Sequence, residues 1–179
     1  MITYLVTGGI AGGKSTVCRY LAEKGFGVFD CDSSCKALYG SVPGLKKRIE
    51  AATGLPFCRL SEVFGNPDAL KALEDIVYPY LIEEIGTWKK NNEDDRFVFV
   101  ESAIALSKHV FDGLYDKVIF VDAPYDERVL RNPAVKERAP LQTADSDRRK
   151  ADYTIVNNST LECLYKEVDK LIDQLENEN

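Results

Sequence analysis

Residues 8–16 read GGIAGGKST: four glycines, one ammonium and two hydroxyls within nine positions. That is chemistry for holding an anion. Bare glycine backbone lets successive N–H groups turn inward around one charged group. The spacing Gly8-x4-Gly13-Lys14-Ser15 is that of a phosphate-binding loop. Lys14 is placed to reach the β- and γ-phosphates as a compact point charge, and Ser15 to offer its hydroxyl to Mg²⁺ between them. Gly9, Ile10, Ala11, Gly12, Gly13, Lys14, Ser15 and Thr16 are therefore the candidate ATP contacts, with ATP and Mg²⁺ as the expected cofactors. The bland alternative is a glycine-rich turn with a surface lysine.

A second acidic constellation follows in FGVFDCD, residues 26–32. An apolar run ending in two carboxylates puts Asp30 and Asp32 at the C-terminal edge of a sheet, where ligands bind in open α/β folds. If the strand persists, both side chains share one face. One of them would accept a proton from an acceptor hydroxyl or help hold Mg²⁺. The structural alternative is that they cap a helix over residues 33–39. Glu101 ends another apolar run, and there a Mg²⁺ role and a turn-capping role are both open.

A phosphate loop works only between a strand and a helix. Residues 2–6 read as that strand and 14–24 as that helix. Further strands are expected at 26–29, 96–100 (RFVFV), 117–121 (KVIFV) and 153–156 (YTIV). Near-continuous apolar runs of this kind suit strands buried on both faces. Helical stretches between them indicate βαβ units, hence an α/β fold with a parallel five-stranded sheet. Residues 41–93 hold no strong strand and read as a helical insertion. Within it, residues 68–90 carry apolar side chains at helical spacing, and Pro79 is expected to kink or split that helix. At the C-terminus, Ser159 and Glu162 fit a capping box ahead of an apolar stripe of Leu161, Leu164, Tyr165, Val168, Leu171, Ile172 and Leu175.

The 179 residues suit one domain with small inserted lobes, and 45% hydrophobic residues with 29% charged ones suit a packed core. A net charge of −6 argues against nucleic-acid or anionic-membrane partners, so an anionic ligand must be met by local charge. Such a reversal occurs at residues 131–150. There Arg131, Lys136, Arg138, Arg148, Arg149 and Lys150 face Glu137, Asp145 and Asp147, six against three, or +3. A basic lid over triphosphate and Mg²⁺ needs that sign, although any one of these residues also suits a solvated loop. Arg131 and Arg138 are the preferred phosphate ligands because arginine binds phosphate oxygens bidentately. No run approaches the ~20 apolar residues of a membrane span. No basic leader precedes the first strand, so no signal peptide is expected. Five cysteines, an odd number, suit free thiols in the cytoplasm. Cys31 and Cys35 lack the further ligands a zinc site needs, and the one histidine, His109, reads as a surface residue. Trp88 and Tyr80 read as packing residues rather than adenine platforms. The chain has no guanine-reading N-K-x-D and no H-R-D or D-F-G of protein kinases.

The ordered set of motifs closely resembles the dephospho-CoA kinase family. VTGGIAGGKSTV, then Gly25, then VFDCD correspond to that family's T-G-G-I-x-S-G-K-[ST] loop and D-A-D. LSEVFGNPDALKALEDIVYP, VESAI, VDAP, Arg138-x3-Gln142 and ADYTIVNNST follow in the family's order, nearly end to end. The resemblance implies ATP-dependent phosphorylation of the ribose 3′-hydroxyl of dephospho-CoA, giving CoA. It implies Asp32 as acid/base, with Asp30 supporting and Lys14 and Arg138 in catalysis. Ser15 would hold Mg²⁺, with Asp32 and Glu101 as further candidate metal ligands. It divides the single kinase domain into a core (about 1–40, 96–130 and 150–179), an acceptor lobe (about 41–95) and a lid (about 131–149). The chain departs from the family pattern at Tyr78-Pro79, where the family has His-Pro. It departs again at Ser107, where the family has an acid, in the short stretch from Arg131 to Arg138 with Pro133 and Pro140 about it, and in the short segment before Leu60. These departures bear on acceptor binding and lid closure more than on ATP. The alternatives are another small-molecule kinase of the phosphate-loop class, or a nucleotide-binding relative without catalysis. The oligomeric state is left open.

Overall fold

The computed structural model describes residues 1–138 and 148–178, the side chains of residues 137 and 138 excepted. Its strands are β1 (Ile2–Thr7), β2 (Val28–Asp30), β3 (Phe97–Glu101), β4 (Lys117–Asp122) and β5 (Tyr153–Val156). They form one all-parallel sheet in the order β2-β3-β1-β4-β5. The three central strands carry apolar runs buried on both sides, as a sheet covered by helices requires. Register sets Val6 opposite Glu101 of β3 and Ile119 of β4. The chain leaves β1 toward β2 and leaves β4 toward β5, so the strand order reverses between β1 and β4. A crevice opens at such a point, outside the strands' C-terminal ends.

The helices around this sheet are α1 (Lys14–Glu23), α5 (Tyr125–Arg131), α6 (Val135–Arg138) and the C-terminal α7 (Leu161–Glu178). Val17, Cys18 and Leu21 of α1 join Leu164, Val168, Leu171, Ile172 and Leu175 of α7 in the core, against Tyr4, Phe97, Phe99 and Ile119. Each fully buried Leu, Ile or Val side chain contributes roughly 1.5–3 kcal/mol. Tyr20 and Tyr165 stack at 4.0 Å between α1 and α7, and Asp169 of α7 accepts from the Tyr20 hydroxyl at 3.0 Å and pairs with Lys24 at 2.9 Å. Thr160, not Ser159, caps α7: its Oγ1 accepts from the Cys163 N–H at 3.3 Å and its carbonyl from the Leu164 N–H at 3.1 Å. With the start displaced, Glu162 pairs instead with Lys166 one turn on, and Leu161 stays exposed.

Contacts divide the chain into two units, Met1–Phe29 with Asn92–Asn179, and Asp30–Asn91. The second unit comprises α2 (Cys31–Ser41), α3 (Leu45–Thr53), a 3₁₀ segment (Phe57–Gly65) and α4 (Pro67–Asn91). Asn66 caps α4, its Oδ1 accepting from the Asp68 and Ala69 N–H groups, and Pro67 takes the first helical position. Of the two outcomes expected at Pro79, the split does not occur: the helix runs its full 25 residues. Proline in a helix interior costs about 3 kcal/mol. Burial of Val77, Tyr78, Leu81 and Ile85 around it offsets that cost. The second strand does not persist to Asp32. Asp30 ends β2 and caps α2, accepting from the Ser33 N–H at 3.0 Å and its hydroxyl at 2.6 Å, so the chain turns helical at Cys31. Asp30 and Asp32 therefore do not share a strand face.

Among the described residues, no helix is long and apolar enough to cross a membrane. Of the expected lid, residues 139–147 lie outside the described residues.

Candidate active site

The loop from Gly8 to Gly13 leaves the end of β1 and closes on itself, the Gly12 N–H donating to the Gly9 carbonyl at 3.0 Å. Gly13, at φ 102°, is the N-cap of α1 and makes no side-chain capping bond. A left-handed residue there directs the first turn of α1, with its positive dipole end, into the loop. Ala11 is the single non-glycine residue with positive φ, 57°, among the described residues. That conformation costs an L-residue roughly 1–2 kcal/mol, and it falls in the segment that must wrap an anion.

Lys14 Nζ donates to the Gly8 and Gly9 carbonyls at 3.2 and 3.3 Å, which holds the ammonium over the loop. Ser15 Oγ donates to Glu101 Oε1 at 2.7 Å. Glu101, at the end of β3, is only 8% exposed. Its carboxylate thus meets a hydroxyl of the phosphate loop.

Two arginines one turn apart on α5 reach the loop backbone. Arg128 Nη1 lies 3.5 Å from the Ile10 carbonyl, and its guanidinium occupies the space a Cβ on Gly9 would need. Arg131 Nη1 lies 3.5 Å from the Ala11 carbonyl, and its Nη2 lies 3.4 and 3.5 Å from the carbonyl and Oδ1 of Asn157. Asn157 Nδ2 donates to the Gly12 carbonyl at 2.8 Å. Beside these groups a cleft of about 330 Å³ runs along the ends of β4 and β5, with Gly9, Asp122, Tyr125, Arg128, Arg148 and Asn158 in its wall. Asp122 and Arg148 form an ion pair of 3.0 Å.

The structure thus brings together Gly9, Ile10, Ala11, Gly12, Gly13, Lys14, Ser15, Thr16, Arg131 and Glu101, all within the first unit. Asp32 lies in the second unit, exposed in the first turn of α2. Arg138 ends α6, and its side chain lies outside the described residues. Sequence reasoning missed Arg128 and Asn157 as site residues. The available signals were the i, i+3 spacing of Arg128 and Arg131 on one helix face and the polar pair that follows the strand run YTIV at Asn157.

In the second unit, burial first and then a hydrogen bond to Glu74 push the Tyr78 hydroxyl well above its ordinary range, so it stays a neutral donor. Burial, with Asp32 nearby, raises the Cys35 thiol to about 11. Arg48 Nη1 donates to the Tyr80 hydroxyl at 2.6 Å, and the guanidinium Cζ lies 5.8 Å from the centre of its ring, a local packing role. His109 is fully exposed beside Asp112 at 3.0 Å. Ser107 Oγ donates to the Ile104 carbonyl at 2.9 Å within a 3₁₀ turn.

No protein-family model matches the chain. Curated relatives do. The dephospho-CoA kinase of Fusobacterium nucleatum is 31% identical over 189 residues, 95% of this chain and 96% of that protein. The dephospho-CoA kinase of Porphyromonas gingivalis is 33% identical over 179 residues, 88% and 86% of the two chains. Among solved structures, TT1252 from Thermus thermophilus superposes with a TM-score of 0.76 at 27% identity, over 97% of each chain. A phosphate loop alone would be shared with many unrelated nucleotide-binding proteins, but identity above 30% along nearly the whole chain extends well past the loop: this protein belongs to the dephospho-CoA kinase family.

Proposed function

We propose that this kinase transfers the γ-phosphoryl group of ATP to the ribose 3′-hydroxyl of dephospho-CoA, giving CoA and ADP. The observation that carries the acceptor assignment is the near-full-length likeness to curated dephospho-CoA kinases. The phosphate loop with Lys14 over it supports ATP as donor.

The Ser15 hydroxyl and the Glu101 carboxylate are adjacent hard oxygen donors of the kind Mg²⁺ takes, with phosphates and water completing its shell. Those two residues would hold Mg²⁺, which would supply charge neutralisation to the phosphates. The loop N–H groups and Lys14 orient the triphosphate. Asp32 accepts the 3′-hydroxyl proton as that oxygen bonds to the γ-phosphorus and the bond to the ADP oxygen breaks. Arg131 and Arg138 neutralise charge on the transferred group, within a lid over residues 131–149. The helices of about 41–95 form the acceptor lobe. Most of the rate then comes from positioning and electrostatics. The acidic chain with five cysteines suits a cytoplasmic enzyme that meets no nucleic acid or membrane.

A coupled ADP-release assay with mass detection of the product tests this reading. CoA formation that requires ATP, Mg²⁺ and dephospho-CoA together is the expected result. Turnover of a nucleoside or sugar with none of dephospho-CoA would overturn the acceptor. Thermal stabilisation by ATP without any product would overturn catalysis.

A further inference from the structure

Asn157 follows the last residue of β5 and is 6% exposed. Its backbone N–H donates to the Asp122 carbonyl at 2.7 Å, which pins it to the end of β4. From that fixed point its amide works in two directions. Nδ2 donates to the Gly12 carbonyl at 2.8 Å, while Oδ1 and the backbone carbonyl face Arg131 Nη2 at 3.5 and 3.4 Å. The amide fits there because Gly13 has no Cβ: one built on Gly13 would overlap Nδ2.

We propose that Asn157 is a positioning residue for the nucleotide, one that sets the direction of a phosphate-binding amide and holds Arg131 beside the same loop. The inference rests on the reading of this loop as an ATP site. Its physical basis is peptide planarity. In a trans peptide the carbonyl of one residue and the N–H of the next point to opposite sides. Drawing the Gly12 carbonyl toward Asn157 turns the Gly13 N–H the other way, toward the interior of the loop. A free glycine-rich segment samples both orientations; a buried hydrogen bond to one carbonyl selects one. The second half follows from the side-chain chemistry. The amide offers a donor on one branch and an acceptor on the other. Aspartate at 157 would still meet Arg131 but would set a carboxylate against the Gly12 carbonyl. Leucine, with the same branching but no polar atoms, would satisfy neither.

The test is calorimetric titration of Mg·ATP into the parent, Asn157→Asp and Asn157→Leu, with steady-state kinetics for both substrates. Mg·ATP affinity should fall about tenfold in each variant, with the KM for ATP rising in parallel and the KM for the acceptor unchanged. Arg131→Ala should cost about tenfold in the parent but less than about threefold in an Asn157→Leu background, because the two groups act together. Variants that bind Mg·ATP within roughly twofold of the parent, or fully additive losses, would overturn the proposal, as would a lowered melting temperature with both KM values unmoved. If Asn157→Leu does not fold, the shape-conserving Asn157→Asp decides alone. A parent that binds no Mg·ATP would remove the ATP-site reading itself, an outcome distinct from failure of the variants.

Discussion

Lys14 rests its ammonium on the Gly8 and Gly9 carbonyls, so the loop already holds a cation where phosphate charge is to be met. Lys14→Ala should leave the fold intact, lower Mg·ATP affinity severely and reduce kcat/KM by at least about a hundredfold. Ala11 at φ 57° is strained, and glycine would remove most of that strain. Ala11→Gly should raise stability by roughly 1 kcal/mol in denaturant unfolding, after the greater entropy of an unfolded glycine is counted. Asp32, exposed in the first turn of α2, makes a separable prediction. Asp32→Asn should spare Mg·ATP binding and cut kcat about a hundredfold or more, since general-base catalysis supplies that much. An unchanged kcat would take Asp32 out of the mechanism.

Helices α1 and α7 meet through an aromatic stack and a polar cluster, and α1 is the helix that follows the phosphate loop. The Lys24 ammonium, and after it the Tyr20 hydroxyl, hold the Asp169 carboxyl below its ordinary range. A carboxylate with a depressed folded-state pKa stabilises the protein fully above its unfolded pKa of about 3.9, and that stability is lost as pH falls through the lower folded value. Melting curves of the parent and Asp169→Asn should therefore differ at pH 7, on the order of 1–2 °C for a solvent-screened cluster. The difference should shrink toward zero as pH drops below the folded value. A difference that persists at low pH would mean that packing rather than charge is being measured. Helix α4 carries the reverse lesson: a breaker in mid-element is tolerated where buried side chains on both sides of Pro79 outweigh the lost backbone bond.

Over the whole molecule, ligand binding and folding are linked. A nucleotide that binds only the folded chain at a hundred times its dissociation constant adds about 2.7 kcal/mol of stability. For a chain of this size that is a rise in melting temperature of roughly 5–10 °C. Mg·ATP should produce this shift in the parent and little of it in Lys14→Ala. Because the chain carries −6 overall while residues 131–150 carry +3, the shift should also weaken as ionic strength rises, once local attraction is screened.

The amino-acid sequence by itself determined the phosphate loop, the strand and helix that flank it, the buried parallel strands and the apolar stripe of α7. Each is a local pattern: glycine spacing, a run of β-formers, a 3.6-residue period. Local patterns are weaker at boundaries: the strand expected at 26–29 lies at 28–30 and ends on Asp30, which also caps α2, and the cap of α7 falls one residue later than the sequence suggests. What only the tertiary structure decided are the meetings of distant residues. Glu101 comes beside Ser15, 86 positions away, and Asn157 beside Gly12, 145 positions away. Arg128 sits in the space that Gly9 leaves open. None of these pairings has a sequence period. They follow from the order β3-β1-β4-β5, which sets the ends of four strands side by side at the loop.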